Sequence, residues 1–168
     1  DAVTFNYTAK FDLNTSFTGK DLLYTRIKTG NFSKNFYGGD GNGQSDLADL
    51  SVGNSNGGTL KVDKIWYQFP LGADFTVYLG PRIEAYYMLG STPSVYRQIL
   101  KQFKLGGYYG AYGASTSAGA GISWKPNSQT NPFDPKFTIS TSYNASEGDH
   151  SCVRGSSCGG IGTDESSA

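Results

Sequence analysis

No stretch of this chain comes near the roughly 18–20 consecutive apolar residues that a membrane-spanning helix needs, and hydrophobic residues make up only 37% of it. A helical membrane protein is excluded on that ground. Charge of one sign is lacking as well. Fourteen Lys and Arg balance 14 Asp and Glu for a formal net charge of zero, so nothing in the balance attracts nucleic acid by default. The one histidine, His150, lies in a polar stretch of low complexity. No strand offers it a serine and an acid, so serine–histidine catalysis is not expected, and no other enzyme chemistry is apparent. There is no signal peptide, and Asp1 reads as an internal or processed start. The two cysteines, Cys152 and Cys158, sit in a Gly/Ser-rich segment. They either close a short loop disulfide in an oxidising compartment or remain two thiols. Their spacing lacks the CxxC form and second pair of a zinc site, so neither a metal nor a cofactor is expected.

What the chain does contain is glycine and aromatic residues: 23 Gly, 12 Tyr, 10 Phe and 2 Trp. That composition is all-β, and it fits the aromatic girdles of proteins that cross a bilayer with strands. The clearest pattern runs from Val3 to Phe17. Val3, Phe5, Tyr7, Ala9, Phe11, Leu13, Thr15 and Phe17 alternate with Thr4, Asn6, Thr8, Lys10, Asp12, Asn14 and Ser16. A strand sends successive side chains to opposite faces, so this segment is greasy on one face and wet on the other. A transmembrane β-barrel needs just such strands.

The pattern recurs along the chain. Strands are expected at about 3–17, 22–29, 60–69, 75–84, 115–124 and 137–144, with long loops at 30–59, 85–113 and 145–168. Val62 falls off the register of Ile65, Tyr67 and Phe69, which predicts a bulge near Asp63–Lys64. In the fourth strand Phe75, Val77, Leu79 and Ile83 are expected on the apolar face, with Thr76, Tyr78, Gly80, Arg82 and Glu84 opposite. Short turns thus alternate with long loops, as in outer-membrane barrels with short periplasmic turns and long extracellular loops. Six strands are too few to close. Membrane barrels begin at about eight, and an open sheet would leave unpaired edges in lipid. The 168 residues are therefore expected to form a partial barrel domain of a longer chain, ending in a loop at Glu165–Ala168.

Four segments carry a family resemblance. Leu13-Asn14-Thr15-Ser16-Phe17-Thr18-Gly19-Lys20-Asp21-Leu22-Leu23-Tyr24-Thr25-Arg26-Ile27 resembles the strand–turn–strand signature of cyanobacterial outer-membrane porins. Val62-Asp63-Lys64-Ile65-Trp66-Tyr67-Gln68-Phe69-Pro70-Leu71-Gly72 is similar to a second family segment. Tyr96-Arg97-Gln98 and Gly119-Ala120-Gly121-Ile122-Ser123-Trp124 resemble weaker ones. These are the carbohydrate-selective porins, also called iron-uptake porins. The resemblance implies a barrel of roughly sixteen strands in the cell outer membrane. It implies a homotrimer that contacts membrane lipid and lipopolysaccharide and passes small hydrophilic solutes and inorganic ions. The S-layer-homology domain of family members has no counterpart in these residues.

A pore needs fixed charges along a wet path. The polar faces offer Lys10 and Asp12, then Tyr24, Arg26 and Lys28, then Arg82 and Glu84. Arginine costs about 2–4 kcal/mol on the lipid face at mid-membrane, so Arg26 and Arg82 are expected to face water. A loop helix is expected at 94–104, with Ser94 as N-cap and Val95, Ile99 and Phe103 on one face. Arg97, Lys101 and Lys104 would form a basic stripe that narrows the pore and favours anions. Asp40–Asp46 alternates oxygen donors like a calcium loop but lacks the Glu at loop position 12, and reads as a surface loop. The competing reading is a secreted β-sandwich carbohydrate-binding module with the aromatics as a sugar platform. The long aromatic face of the first strand stands against it.

Overall fold

A computed structural model of the chain describes residues 5–31, 56, 58–91, 99, 116–126, 137–146, 148, 160 and 166–167. The expected basic stripe of Arg97, Lys101 and Lys104, the segment 40–46, and Cys152 and Cys158 lie outside the described residues. The strands are β1 (Thr8–Thr15), β2 (Leu22–Gly30), β3 (Lys61–Leu71), β4 (Phe75–Glu84), β5 (Thr116–Trp124), β6 (Ile139–Ala145) and the two-residue β7 (Ser166–Ser167). They form one sheet in chain order, each strand antiparallel to the next. The connections 16–21, 72–74 and 125–138 gather at one end of this meander, and the connections after β2, β4 and β6 at the other.

Two segments differ most from the pattern in the sequence. Strand pairing in the first segment covers Thr8–Thr15 rather than 3–17. Alternation continues past Thr15, but the backbone is drawn into a turn by the Asp21 carboxylate. That group accepts hydrogen bonds from Ser16 Oγ (2.8 Å), Phe17 N (3.1 Å), Thr18 N (2.7 Å) and Thr18 Oγ1 (2.6 Å), and from Tyr67 OH across on β3 (2.6 Å). At the other end, Ser166 and Ser167 pair with Ala145 and Asn144 rather than lying in a loop. Two serines carry no apolar alternation, so only the backbone pairing reveals them as strand.

Register sorts the side chains into two faces, because residues opposite one another across antiparallel strands share a face. One face runs Thr15, Leu23, Tyr67, Leu79, Ala120 and Tyr143 across the sheet. A parallel row is Leu71, Phe75, Trp124 and Ile139. This face is apolar and open: Phe11 is 54% exposed and Ile139 67%. At the short-turn end of this face Phe17, Tyr67 and Phe69 pack as tilted rings with centroids 6.3 and 5.7 Å apart. The other face carries Asp12, Arg26, Lys64, Gln68, Ser123 and Ser140.

Two bulges break the alternation. Between Arg26 and Ile27 the partner on β3 jumps from Lys64 to Val62, leaving Asp63 as the extra residue, at the place where the off-register Val62 predicts a bulge. The second, at Gly80-Pro81-Arg82 on β4, is out of step with both neighbours: Tyr67 faces Leu79 but Ile65 faces Arg82, and Gly119 faces Gly80 but Ser117 faces Ile83. Proline without an N–H is at home in such a break. The extra residue turns the end of β4 over. Ile83, expected beside Leu79 on the apolar face, is instead wholly buried with Tyr24, Trp66, Tyr78 and Met88 on the polar side.

The bulge requires glycine at position 80, where a Cβ would lie 2.5 Å from Trp66 Cβ and 2.6 Å from Ile65 O. Gly80→Ala should cost about 1–3 kcal/mol of stability, the usual range for overpacking. Unfolding in detergent followed by tryptophan fluorescence checks this; a variant as stable as wild type would show that the bulge can shift. The Asp21 turn gives a pH dependence. Its hydrogen bonds, those from Thr18 first and Tyr67 next, hold the carboxyl well below its usual 3.8. A depressed folded-state value means stability that is complete above about pH 4 and is lost as pH falls toward the folded value. The unfolding midpoint of wild type should therefore drop as pH falls from about 4 toward 2, whereas Asp21→Asn should start lower at neutral pH and show a flatter profile.

Candidate functional site

The polar face is built around a charge cluster toward its long-loop end. Asp12, Arg26 and Lys64 stand side by side on β1, β2 and β3. Arg26 Nε donates to Asp12 Oδ1 at 2.6 Å, and Tyr24 OH donates to the same oxygen at 2.7 Å. The bulge residue Asp63 places Oδ2 3.9 Å from both Arg26 Nη1 and Lys64 Nζ. From the end of β4, Glu84 Oε1 accepts from Lys64 Nζ and from Thr116 Oγ1 (2.9 Å). Lys64 is only 3% exposed. An ammonium so far from water is tolerable because carboxylates and a hydroxyl surround it, and because it lies over the Tyr87 ring, 5.6 Å from the centroid.

Next to the charges lies an aromatic cluster. Tyr24 and Trp66, opposite one another on β2 and β3, have ring centroids 5.2 Å apart, and Trp66 and Tyr78 6.3 Å. What buries them is not another strand. After Glu84 the chain makes one 3-10 turn, Ala85–Met88, and lies back across the polar face. Tyr87 packs its ring, tilted, against those of Trp66 (centroids 5.3 Å apart) and Tyr24 (5.8 Å). Met88 seats against Gly121, where a Cβ would come within 2.7 Å of its sulfur. Gly90 N donates to Ser140 Oγ (2.8 Å), and Ser91 Oγ pairs with Thr138 Oγ1 (3.1 Å). Tyr86 hydrogen-bonds Glu84. Burial first, and the Glu84 charge next, hold its hydroxyl well above the usual phenol range, so it stays a donor.

The residues singled out in the sequence divide accordingly. Asp12, Tyr24, Arg26 and Glu84 come together in this cluster. Lys10 and Lys28 face each other one row nearer the long loops. Arg82 stands apart. The bulge sets it opposite Ile65, on the apolar face, where it is exposed and its Nε donates to Asp63 O at 3.4 Å. The expectation that Arg82 shares a face with Tyr78 assumed unbroken alternation, and the extra residue at Pro81 reverses it. Sequence reasoning passed over Lys64, Trp66, Tyr87 and Met88, and set Ile83 on the wrong face. For Lys64 and Trp66 a signal existed: both alternate with Ile65, Tyr67 and Phe69. For Tyr87 and Met88 there was none, since their partners are distant in sequence.

An up-and-down antiparallel sheet, apolar and open on one side and charged on the other, is built as the walls of membrane β-barrels are built. The sequence narrows the class. Residues 6–151 match the carbohydrate-selective porin family, OprB family, and the chain belongs to it. It is also 32% identical over 143 residues to the uncharacterized protein sll0772 of Synechocystis sp. (strain ATCC 27184 / PCC 6803 / Kazusa), a match covering 78% of this chain. The chain spans 26% of that relative's length. No solved structure matches it.

The Lys64–Glu84 pair should hold the returning segment in place. Glu84→Gln leaves a buried ammonium short of its carboxylate and should cost about 3–5 kcal/mol, while Lys64→Met combined with Glu84→Gln should recover most of that loss. Detergent unfolding of the single and double variants checks this. A single variant as stable as wild type would show that the pair is solvated in solution.

Proposed function

We propose that this chain is part of the wall of an outer-membrane porin, a water-filled channel for passive diffusion of small hydrophilic solutes and inorganic ions. Membership of the carbohydrate-selective porin family supports the channel and the saccharide cargo. In this reading the apolar face meets membrane lipid and lipopolysaccharide, and the full chain closes roughly sixteen strands and assembles as a homotrimer. Lys10, Asp12, Tyr24, Arg26, Lys28 and Glu84 line the aqueous side. Arg82, on the apolar face near the long-loop end, reaches the headgroup level, where arginine costs about 0–1 kcal/mol. The mechanism is a water path with fixed charges and dipoles that bias what enters, and no covalent step.

The observation that carries this reading is the return of residues 85–91 across the polar face, with Met88 against Gly121 and Gly90 bound to Ser140. A loop that starts by folding onto the wet side of a barrel wall narrows the lumen. Arg97, Lys101 and Lys104 follow directly in the chain and give that constriction a basic face. In planar bilayers the full-length protein should form open channels that prefer chloride over potassium. Replacing Arg97, Lys101 and Lys104 together by Gln should move the reversal potential in a salt gradient toward cation preference. Unchanged selectivity would remove the basic constriction, and an absence of channels would remove the porin reading itself.

A further inference from the structure

Arg82 is the one charged side chain that the described strands place on the apolar face. Register sets it in line with Leu13, Thr25 and Ile65, and Leu79, Val77 and Phe75 run from it along β4 toward the short turns. Its Nε reaches Asp63 O at 3.4 Å, and among the described residues no carboxylate lies within ion-pair distance of it. The acids of β3 and β4 turn to the other face. Asp63 Oδ2 is 3.9 Å from Arg26 Nη1 and from Lys64 Nζ, and Glu84 pairs with Lys64. The connections at this end of the sheet carry charge of both signs. Residues 85–115, which leave the end of β4, hold Arg97, Lys101 and Lys104 and no acid; Asp40, Asp46 and Asp49 follow β2, and Glu147, Asp149, Asp164 and Glu165 follow β6.

An arginine fork held at Nε alone keeps its two terminal nitrogens to offer, and that geometry takes phosphate oxygens two at a time. The strip beside it is of a different kind: Leu79 and Phe75 are exposed and apolar. A soluble anion would use the guanidinium only, whereas a lipid uses both, its headgroup on Arg82 and its acyl chains along β4. We infer that Arg82 and the apolar strip of β4 form a binding site for a lipid with a net-negative phosphate headgroup, in the leaflet at the long-loop end. The bulge at Gly80-Pro81-Arg82 creates the site, because it is the extra residue that delivers Arg82 to this face. A cation is costly against hydrocarbon and favourable beside anionic headgroups, so the phosphate turns a liability of the wall into a fixed contact. The inference rests on the proposed membrane wall and deepens it, by naming the headgroup chemistry that one residue selects.

The test is native mass spectrometry of the full-length protein in neutral detergent, titrated with dioleoyl phosphatidic acid or with dioleoyl phosphatidylcholine. Wild type should hold phosphatidic acid about tenfold more tightly than phosphatidylcholine. Arg82→Gln should lose most of that preference, and Arg82→Lys, a point charge without the fork, should keep part of it. Arg82 is exposed, so both variants should fold, and tryptophan fluorescence matching wild type checks that they do. Excess inorganic phosphate should leave the bound lipid in place; displacement would assign the site to a soluble anion and overturn the lipid. No preference in wild type, or an equal preference in Arg82→Gln, overturns the inference; an acid from the long connections already paired with Arg82 would give that result. Channel recording of wild type in phosphatidylcholine bilayers reads the porin proposal separately. Channels without a lipid preference remove this site and leave the porin; a preference without channels leaves the lipid site and removes the porin.

Discussion

The parity of the β4 strand governs this structure. A strand can serve two solvents only if its side chains alternate without interruption, and one extra residue exchanges the faces. The bulge at Gly80-Pro81-Arg82 makes that exchange out of step with both neighbouring strands. Below it, Phe75, Val77 and Leu79 face the apolar side. Above it, Ile83 turns to the polar side and becomes the buried floor of an aromatic and charged cluster. The 3-10 turn that follows then finds an apolar seat on an otherwise wet surface. Without the reversal, Ile83 would add to the apolar face, and Met88 and Tyr87 would lose the floor they share with it.

Electrostatics on the polar face follows from the same geometry. Bringing the chain back across that face takes Lys64 out of water, and an ammonium removed from water requires anions close by. Glu84, at the strand end, and Asp63, pushed out by its own bulge, supply them. Arg26 takes Asp12 from the neighbouring strand. The two bulges thus act together: one positions a carboxylate between two cations, the other brings the loop and Glu84 over them.

At the opposite end a single carboxylate organises the first turn. Asp21 collects backbone and hydroxyl donors from Ser16, Phe17 and Thr18 and one from Tyr67 on β3, which ties the first hairpin to the third strand. The aromatic residues around it, Phe17, Tyr67 and Phe69, lie on the apolar face at the short-turn end. In the proposed barrel wall this end would stand at one membrane interface, where rings with one apolar and one wet side are favoured.

Read alone, the sequence determined what depends on local repetition. Period-two alternation places Phe11, Leu13, Leu23, Ile27, Val77 and Leu79 on one face and Asp12, Arg26 and Tyr24 on the other. The slip at Val62 marks the Asp63 bulge, and the lengths of the connections order the meander. Tertiary structure decided what depends on counting across strands. The reversal at Pro81 moved Ile83 and Arg82 to opposite faces from those alternation assigns, because a bulge is defined against partner strands and leaves little mark in one sequence. The seating of Tyr87 and Met88, the burial of Lys64 and the pairing of Ser166–Ser167 escaped for the same reason: each contact joins residues far apart in the chain. The sequence carries the period of each strand, and only the assembled sheet fixes its phase.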